Sequence, residues 1–378
     1  MPDISVGEST NQKSKSATRT LTVTIRTRTP LWTGGVDGTM DRIHETGILG
    51  SLRWWYEVLV RGLGGYACDP TGENPNHRCQ FDAKTYKKTG NIEDGLRNVC
   101  SVCRLFGCTG WKRRFELQTT AANLQPLHLA TRDRPAKFNH RWLSEIFDEQ
   151  SKVIFGRVTL RFRWMRGYEN QQQIMQALLS LVSRLGGIGA KTQYGFGIFS
   201  YDGVQPIKQA MTTVKHSIIN PDEPKNLSGE YPTLNNYWLL QCVVPNRDVS
   251  RHFSRVNIVG DQQAFEQTRD RLLPVSFDIR YKLPGTRDKG LRQAYRLRHG
   301  KMSTRQIFGT LKGDKRASNI FVSHLYKERV GEDDYQLRVW GFTSIGIADE
   351  IEQSLKDIFP NLHCNRITGH DLLDGIEV

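Results

Sequence analysis

Five cysteines fall between positions 68 and 108, namely Cys68, Cys79, Cys100, Cys103 and Cys108, and a thiolate is the side chain that holds soft metal ions. The Cys100-x2-Cys103 spacing is a metal-chelating knuckle. Cys68 and Cys79 supply an opposite pair, so four thiolates would surround a structural zinc ion tetrahedrally. Cys68 and Cys79 are eleven positions apart, longer than an ordinary knuckle. His77 is an alternative to Cys79, Cys108 is a fifth candidate, and a set of reduced thiols without metal is the competing reading. A second group is Gly186-Gly-Ile-Gly-Ala-Lys-Thr-Gln-Tyr-Gly-Phe-Gly197. A Walker A loop needs Gly directly before Lys and a helix after it. Here Ala190 precedes Lys191 and the segment leaves a helix to enter a strand, so nucleotide hydrolysis is disfavoured. Glycines such as Gly187 and Gly189 permit close approach of a phosphodiester chain, with Lys191 supplying charge, Gln193 hydrogen bonds and Tyr194 a stacking face. An ordinary helix-to-strand turn is the alternative. The third group, Asp37, Asp41, His44 and Glu45, could hold a divalent ion and move a proton, although acids and His before a helix are commonly caps.

The chain of 378 residues carries 53 Lys and Arg against 39 Asp and Glu, a net charge of +14. That excess of one sign favours a polyanionic partner. It is concentrated: positions 280–316 hold twelve basic residues against two acids, and positions 104–166 thirteen against five. No apolar run is long enough to span a membrane and no secretory signal is visible, so a cytoplasmic protein is expected. In that reducing setting clustered Cys points to metal before disulfides. Cys242 lies in an apolar strand and reads as core.

Residues 1–19 are polar and read as a disordered lead. Leu21, Val23 and Ile25 alternate as in a strand ending near Arg26, and apolar residues at helical spacing run from Leu49 to Leu63, placing Arg53 of Gly50-Ser-Leu-Arg53 in the first turn. A guanidinium there would join the exposed backbone N–H groups in addressing a phosphate. Residues 66–104 form a Cys-rich insertion. Strands at 115–120 and 157–164, a helix at 171–185 and a strand at 196–201 complete a β-α-β-β-α-β order, the ferredoxin-like split βαβ arrangement. After a linker at 206–234 the order repeats: strand 237–244, helix 291–298, strands 319–326 and 336–342, helix 349–358 and strand 363–367. The expected architecture is α+β, with domains at 20–205 and 235–378.

Two echoes support duplication. Gly50-Ser-Leu-Arg53 before Tyr56 resembles Gly290-Leu-Arg292 before Tyr295. Leu105-Phe-Gly107 with Lys112, Arg113 and Arg114 resembles Ile307-Phe-Gly309 with Lys312, Lys315 and Arg316. These basic residues should line one groove. Trp54 and Trp55, adjacent on one helix, point about 100° apart, so one should enter the core.

Gly50-Ser-Leu-Arg-Trp-Trp-Tyr-Glu57, Cys100-Ser-Val-Cys-Arg-Leu-Phe-Gly-Cys-Thr-Gly-Trp111 and the segment 186–197 together resemble the RAMP superfamily of CRISPR proteins, and more narrowly the first RAMP subunit of the Cmr, type III-B, effector complex. The resemblance is specific over about residues 21–200 and weaker over 235–370. It implies tandem ferredoxin-like (RRM-like) domains that bind the CRISPR guide RNA near the end holding its 3′ part, help capture target RNA and contact sister RAMP subunits without cutting. Some relatives do cut RNA, so an endoribonuclease processing CRISPR RNA is the alternative function.

Overall fold

The computed structural model describes residues 19–35, 40–71, 77–121, 125–126, 152–224, 231–253, 271–281, 289–310, 313 and 315–376. The disordered lead expected at 1–19 lies outside these residues except for Arg19, as do Asp37 and Lys312.

In the first half, strand β1 (Thr20–Thr27) buries Leu21, Val23 and Ile25 on one side, as their alternation requires. Helix α1 (Glu45–Gly62) follows. The Cys-rich stretch contains three short helices, α2 (Ala83–Thr89), α3 (Ile92–Leu96) and α4 (Ser101–Phe106). Then come β2 (Phe115–Ala121), a small β3 (Gln125–Pro126) and β4 (Lys152–Val153) pair, β5 (Arg157–Trp164), α5 (Gln171–Leu185) and β6 (Phe199–Tyr201). The main sheet has the order β2-β5-β1-β6 with antiparallel neighbours, which is the ferredoxin-like arrangement. Strand β6 is shorter than its apolar run, because Gly197 and Ile198 bond instead to the irregular Arg28–Pro30 backbone.

Inside the stretch read as a linker, helix α6 (Ile207–His216) packs on α5 and buries Ala210, Met211 and Val214. This part of 206–234 is therefore folded on the first half. Pro206 stands at its N-cap, where a missing N–H costs nothing.

The second half repeats the plan with β7 (Tyr237–Val244), α7 (Asn246–Phe253), β8 (Leu272–Leu273), α8 (Ser276–Tyr281), α9 (Leu291–Phe308), β9 (Ile320–Val322), β10 (Leu325–Tyr326), β11 (Tyr335–Phe342), α10 (Ile345–Ile358), β12 (His363–Thr368) and α11 (Gly369–Leu373). Its strands run β12-β7-β11-β10-β8, with β9 also on β11. Helix α9 extends past the predicted 298 through a kink at Gly300, which takes a left-handed φ of 75°. Cys242 is buried in β7 as expected, and it is bonded to Cys364 on β12.

A ferredoxin-like sheet covers one face with its helices and leaves the other free. In the second half that other face is covered too. Trp238, Leu240, Cys242 and Val244 of β7 pack under its own helices, whereas Tyr237 and Leu239 belong to the core of the first half, as do Trp340 and Phe342 of β11. This explains why β7 is apolar on both sides, a pattern expected of a strand with no solvent face. Neither Trp54 nor Trp55 points to water: Trp55 is buried, and Trp54 meets Phe342 at 5.3 Å and Phe321 at 6.1 Å between ring centroids. The halves are further joined by Tyr237 Oη donating to Leu185 O at 2.5 Å and Arg338 to Ser183 O at 2.8 Å.

Candidate functional site

Cys68, Cys79, Cys100 and Cys103 are buried, and their four Sγ atoms lie within 4.8 Å of one another. Cys100 is the N-cap of α4, so Cys103 sits one turn on and faces the same way. The chain leaving α1 brings Cys68 to 3.4 Å from Cys103, and the backbone N–H of Cys100 donates to Cys79 Sγ at 3.4 Å. A tetrahedral zinc with Zn–S bonds of about 2.3 Å needs sulfurs roughly 3.8 Å apart, so this donor set fits such an ion. Hydrogen bonds from the thiols of Cys103, Cys68 and Cys79 hold Cys100 well below the usual thiol range, while bonding to Cys100 pushes Cys103 and Cys79 up. Cys108 is half-buried beside Cys103 and outside the group of four, and His77 is not a member either.

Arg53 completes this centre, and its place corrects the expectation from sequence. Helix α1 starts at Glu45, so Arg53 lies in the third turn with no exposed helix N–H groups to join. Its guanidinium donates to Cys103 Sγ at 3.2 Å, Gly107 O at 2.8 Å and Glu57 at 3.1 Å. Were a divalent ion held by four thiolates here, this positive charge would offset their surplus negative charge. Burial pushes the Glu57 carboxyl up to about 7 against the opposing pull of Arg53 and Arg61.

The glycines of 186–197 serve the protein's own packing. Gly186 and Gly187 are buried, and a Cβ on Gly186 would lie 2.0 Å from the Trp55 ring. Trp55 Nε1 donates to Gly187 O at 3.2 Å, and Ser51 Oγ accepts from the N–H of Gly189 at 2.9 Å. Gly197 has a φ of +83°, and a Cβ there would stand 1.9 Å from Ile188 O. The expected approach of a phosphodiester chain to Gly187 is thus pre-empted by Trp55 and the chain's own backbone. Lys191, Gln193 and Tyr194 are partly exposed, with Lys191 Nζ 2.9 Å from the centroid of the Trp32 ring.

Tyr194 leads into the second half, where its carbonyl accepts from Ser276 Oγ. Beyond it lies a group of arginines without acid partners among the described residues. Arg280 is 1% exposed and donates to Ile320 O, Phe308 O and Ser318 Oγ, all neutral acceptors. Arg292 donates to Gly309 O at 3.3 Å, and its Nε is buried with no partner. The two guanidiniums stand 5.6 and 5.7 Å from the Tyr281 ring centroid. Burial lowers the Arg292 pKa, and the charges of Arg280, Arg296 and Arg305 lower it further. Such repulsion makes a ready site for an anion. Sequence reasoning found Arg292 but missed Arg280, Arg296 and Arg305 individually; the density of arginine over 280–316 was the available signal.

The remaining basic candidates are dispersed. Arg114 lies over Trp111 at 3.8 Å, Arg113 donates to Phe115 O, and Lys112 is exposed. Lys315 and Arg316 are exposed, and the Arg316 backbone pairs with Thr310. Arg26 projects from the far face of the first sheet, away from the helices. In the loop before α1, Asp41 and His44 form an exposed pair at 2.7 Å, and Glu45 accepts from Thr119 Oγ1 at 2.9 Å. His44 stands at the N-cap but makes no side-chain capping bond, so these are local side-chain contacts and not caps.

Among the described residues no helix is long and apolar enough to cross a membrane. No curated protein matches the chain. Solved structures similar to it include Cmr1 from Pyrococcus furiosus in its apo form, at 12% identity and a TM-score of 0.40 over 91% of this chain and 97% of that one. Another is a type III-B Cmr-beta complex bound to cognate target RNA and AMPPnP in the presence of single-stranded DNA, at 13% identity and a TM-score of 0.38 over 89% of this chain and 99% of the matched chain. The RAMP superfamily model matches residues 24–200, the span that contains the first ferredoxin-like sheet, the buried cysteine cluster and the Gly-rich segment.

Proposed function

We propose that this protein is a non-catalytic, guide-RNA-binding subunit of a type III-B CRISPR effector complex in the cytoplasm. In this reading two RAMP domains, 20–205 and 235–378, act as one body, and zinc held by Cys68, Cys79, Cys100 and Cys103 is structural, since four thiolates leave no open position. The observation that carries it is the pair Arg280 and Arg292 against the Tyr281 ring and near Tyr194 at the junction of the halves, with Arg296 and Arg305 adding positive charge near Arg292 and no acid paired to any of the four among the described residues. Phosphates compensate such charge and a base stacks on such a ring. The protein stands once per complex, near the end holding the 3′ part of the guide, against sister RAMP subunits and the incoming target RNA. Its second sheet face is used up by its own first half, which suits a terminal subunit better than a repeating one.

Labelled RNA mixed with purified protein at low salt, with and without magnesium, tests this. Retention without cleavage is expected. If about six phosphates are neutralised, log K falls with log salt at a slope near −4, at roughly 0.7 per contact. Cleavage would establish the endoribonuclease reading instead, and no retention would leave a protein-binding scaffold. Native mass spectrometry reporting two or more copies per complex would overturn the terminal placement.

A further inference from the structure

The outer face of the first sheet is the counterpart of the face that the second half has covered, and it is open. Pairing places its side chains in rows: Glu116, Arg163 and Thr20; Gln118, Arg161 and Thr22; Thr120, Thr159 and Thr24; Arg157, Arg26 and Ser200. Arg157, Arg161 and Arg163 are exposed, and among the described residues two acids stand on or beside the face: Glu116, bound to Arg163 at 2.6 Å, and Asp202, which the continued register places opposite Thr24 next to Arg26. Arg26 has its pKa lowered by burial and by Arg271, Arg28 and Arg157 against a smaller opposing pull from Asp202, so basic residues outweigh the acid at that end too. Arg271 comes from the second half, and its Nε is buried with no hydrogen-bond partner among the described residues.

We propose that this face is a second nucleic-acid surface, holding the sugar-phosphate backbone of one RNA strand along β5, separate from the arginine cluster at the junction of the halves. Three features select that occupant. The basic residues run from Arg157 to Arg163, about 20 Å at 3.3 Å per residue, which is too long for a single phosphate and calls for a linear polyanion. The rows contain no aromatic side chain, so contact goes to phosphate and sugar, through Arg and Thr donors, with no stacking of bases. They contain no large apolar side chain either, whereas a stable protein interface has an apolar centre. The proposal rests on the RNA-binding reading above and adds the surface, its backbone-only mode and its lack of sequence preference.

The test uses the full-length protein and short unstructured single-stranded RNAs of several sequences, titrated over a range of salt. Replacing Arg157 and Arg161 together with Gln should make the log K against log salt slope shallower by about 1.4, two contacts at roughly 0.7 each, equally for every sequence. Because both side chains are exposed, thermal unfolding should be unchanged. Glu116→Gln should act oppositely and tighten binding by releasing Arg163. Photo-crosslinked RNA should map to the peptide spanning residues 157–163. A wild-type slope in the Arg157→Gln, Arg161→Gln protein, with binding still weakened by Arg292→Gln, would overturn this surface and leave the RNA-binding reading standing. Failure of the wild-type protein to bind any RNA would overturn both.

Discussion

Arg53 and Arg292 hold the same post in the two halves. Each lies on a long helix, α1 between β1 and β2 in the first half and α9 between β8 and β9 in the second, three residues before a buried tyrosine, Tyr56 or Tyr295. Each donates to the carbonyl of a glycine that follows a phenylalanine, Gly107 at 2.8 Å and Gly309 at 3.3 Å. The two glycines share a left-handed backbone, φ 95° and ψ 158° against φ 76° and ψ 170°. What surrounds the arginine then diverges. Four residues on, the first half has Glu57 and the second has Arg296. The thiolate centre next to Arg53 has no counterpart in the second half, where Arg280 and Arg305 add positive charge. One duplicated device has become an internal clamp where its charge is neutralised, and a partly buried concentration of positive charge where it is not.

The largest expected effect comes from taking the clamp apart. Metal analysis of protein purified without added zinc should give about one zinc per chain, and Cys100→Ser with Cys103→Ser should remove it. Structural zinc supplies on the order of 10 kcal/mol in small zinc domains, so the first half should lose its cooperative thermal transition. Absence of zinc, with all five first-half thiols titrating freely in the native protein, would refute the centre.

Exchanging the two arginines is the sharper test. Arg53→Ala leaves the buried Glu57 with only Arg61, at 3.7 Å, and should cost about 3 kcal/mol in denaturant unfolding. Arg292→Ala relieves repulsion and should cost less than about 1 kcal/mol, while weakening RNA binding with a salt slope shallower by about 0.7. Arg296→Glu would rebuild the first-half pair, adding about 0.3–0.5 kcal/mol to the helix and lowering RNA affinity. If Arg53→Ala reduced RNA affinity at unchanged stability, the contrast between the halves would collapse.

How far this was legible follows the range of the interactions concerned. Strand β1 could be read because alternation of Leu21, Val23 and Ile25 is local, and the two Arg and Phe-Gly echoes because each motif is short. Strand β7 was found as an apolar run, but why it lacks alternation depends on a face covered by Trp54 and Trp55 from far upstream. The knuckle Cys100-x2-Cys103 announces itself by spacing, whereas Cys79 joins it through a loop no spacing rule describes. Arg53 was misread because a helix start was placed at Leu49 from apolar periodicity, when His44 caps it earlier with a polar first turn. The glycines of 186–197 were misread because close approach by one's own chain and by a ligand leave the same trace in composition.

The junction between the halves gives a smaller effect. Trp54 is partly buried and its ring contacts to Phe321 and Phe342 cross from one half to the other. Trp54→Ala should cost about 2 kcal/mol, below the range for a fully buried Trp, and should split one thermal transition into two. A single unchanged transition would show that the halves are coupled elsewhere, through Arg338 and Tyr237.

The smallest effect is expected in the loop before α1, where an acid and a histidine meet and a nuclease would be sought. Asp41 is 67% exposed at its side chain, and the hydrogen bond to His44 holds its carboxyl below the usual range, so Asp41 is an ordinary surface carboxylate with one partner. His44 donates its backbone N–H to Thr33 Oγ1 at 2.9 Å, which fixes the entry to α1 without using the imidazole. An exposed pair of this kind, screened by solvent, adds little to stability. Asp41→Ala and His44→Ala should therefore each leave unfolding, RNA binding and target cleavage by the assembled complex unchanged. The comparison with the second half sharpens this: Gly290 caps α9 with no side-chain bond, yet the same helix and the same arginine contact form there, so the Asp41–His44 pair is not required by the fold. Loss of cleavage in either variant, with assembly intact, would mean the pair is held there for chemistry, and the non-catalytic reading would fall.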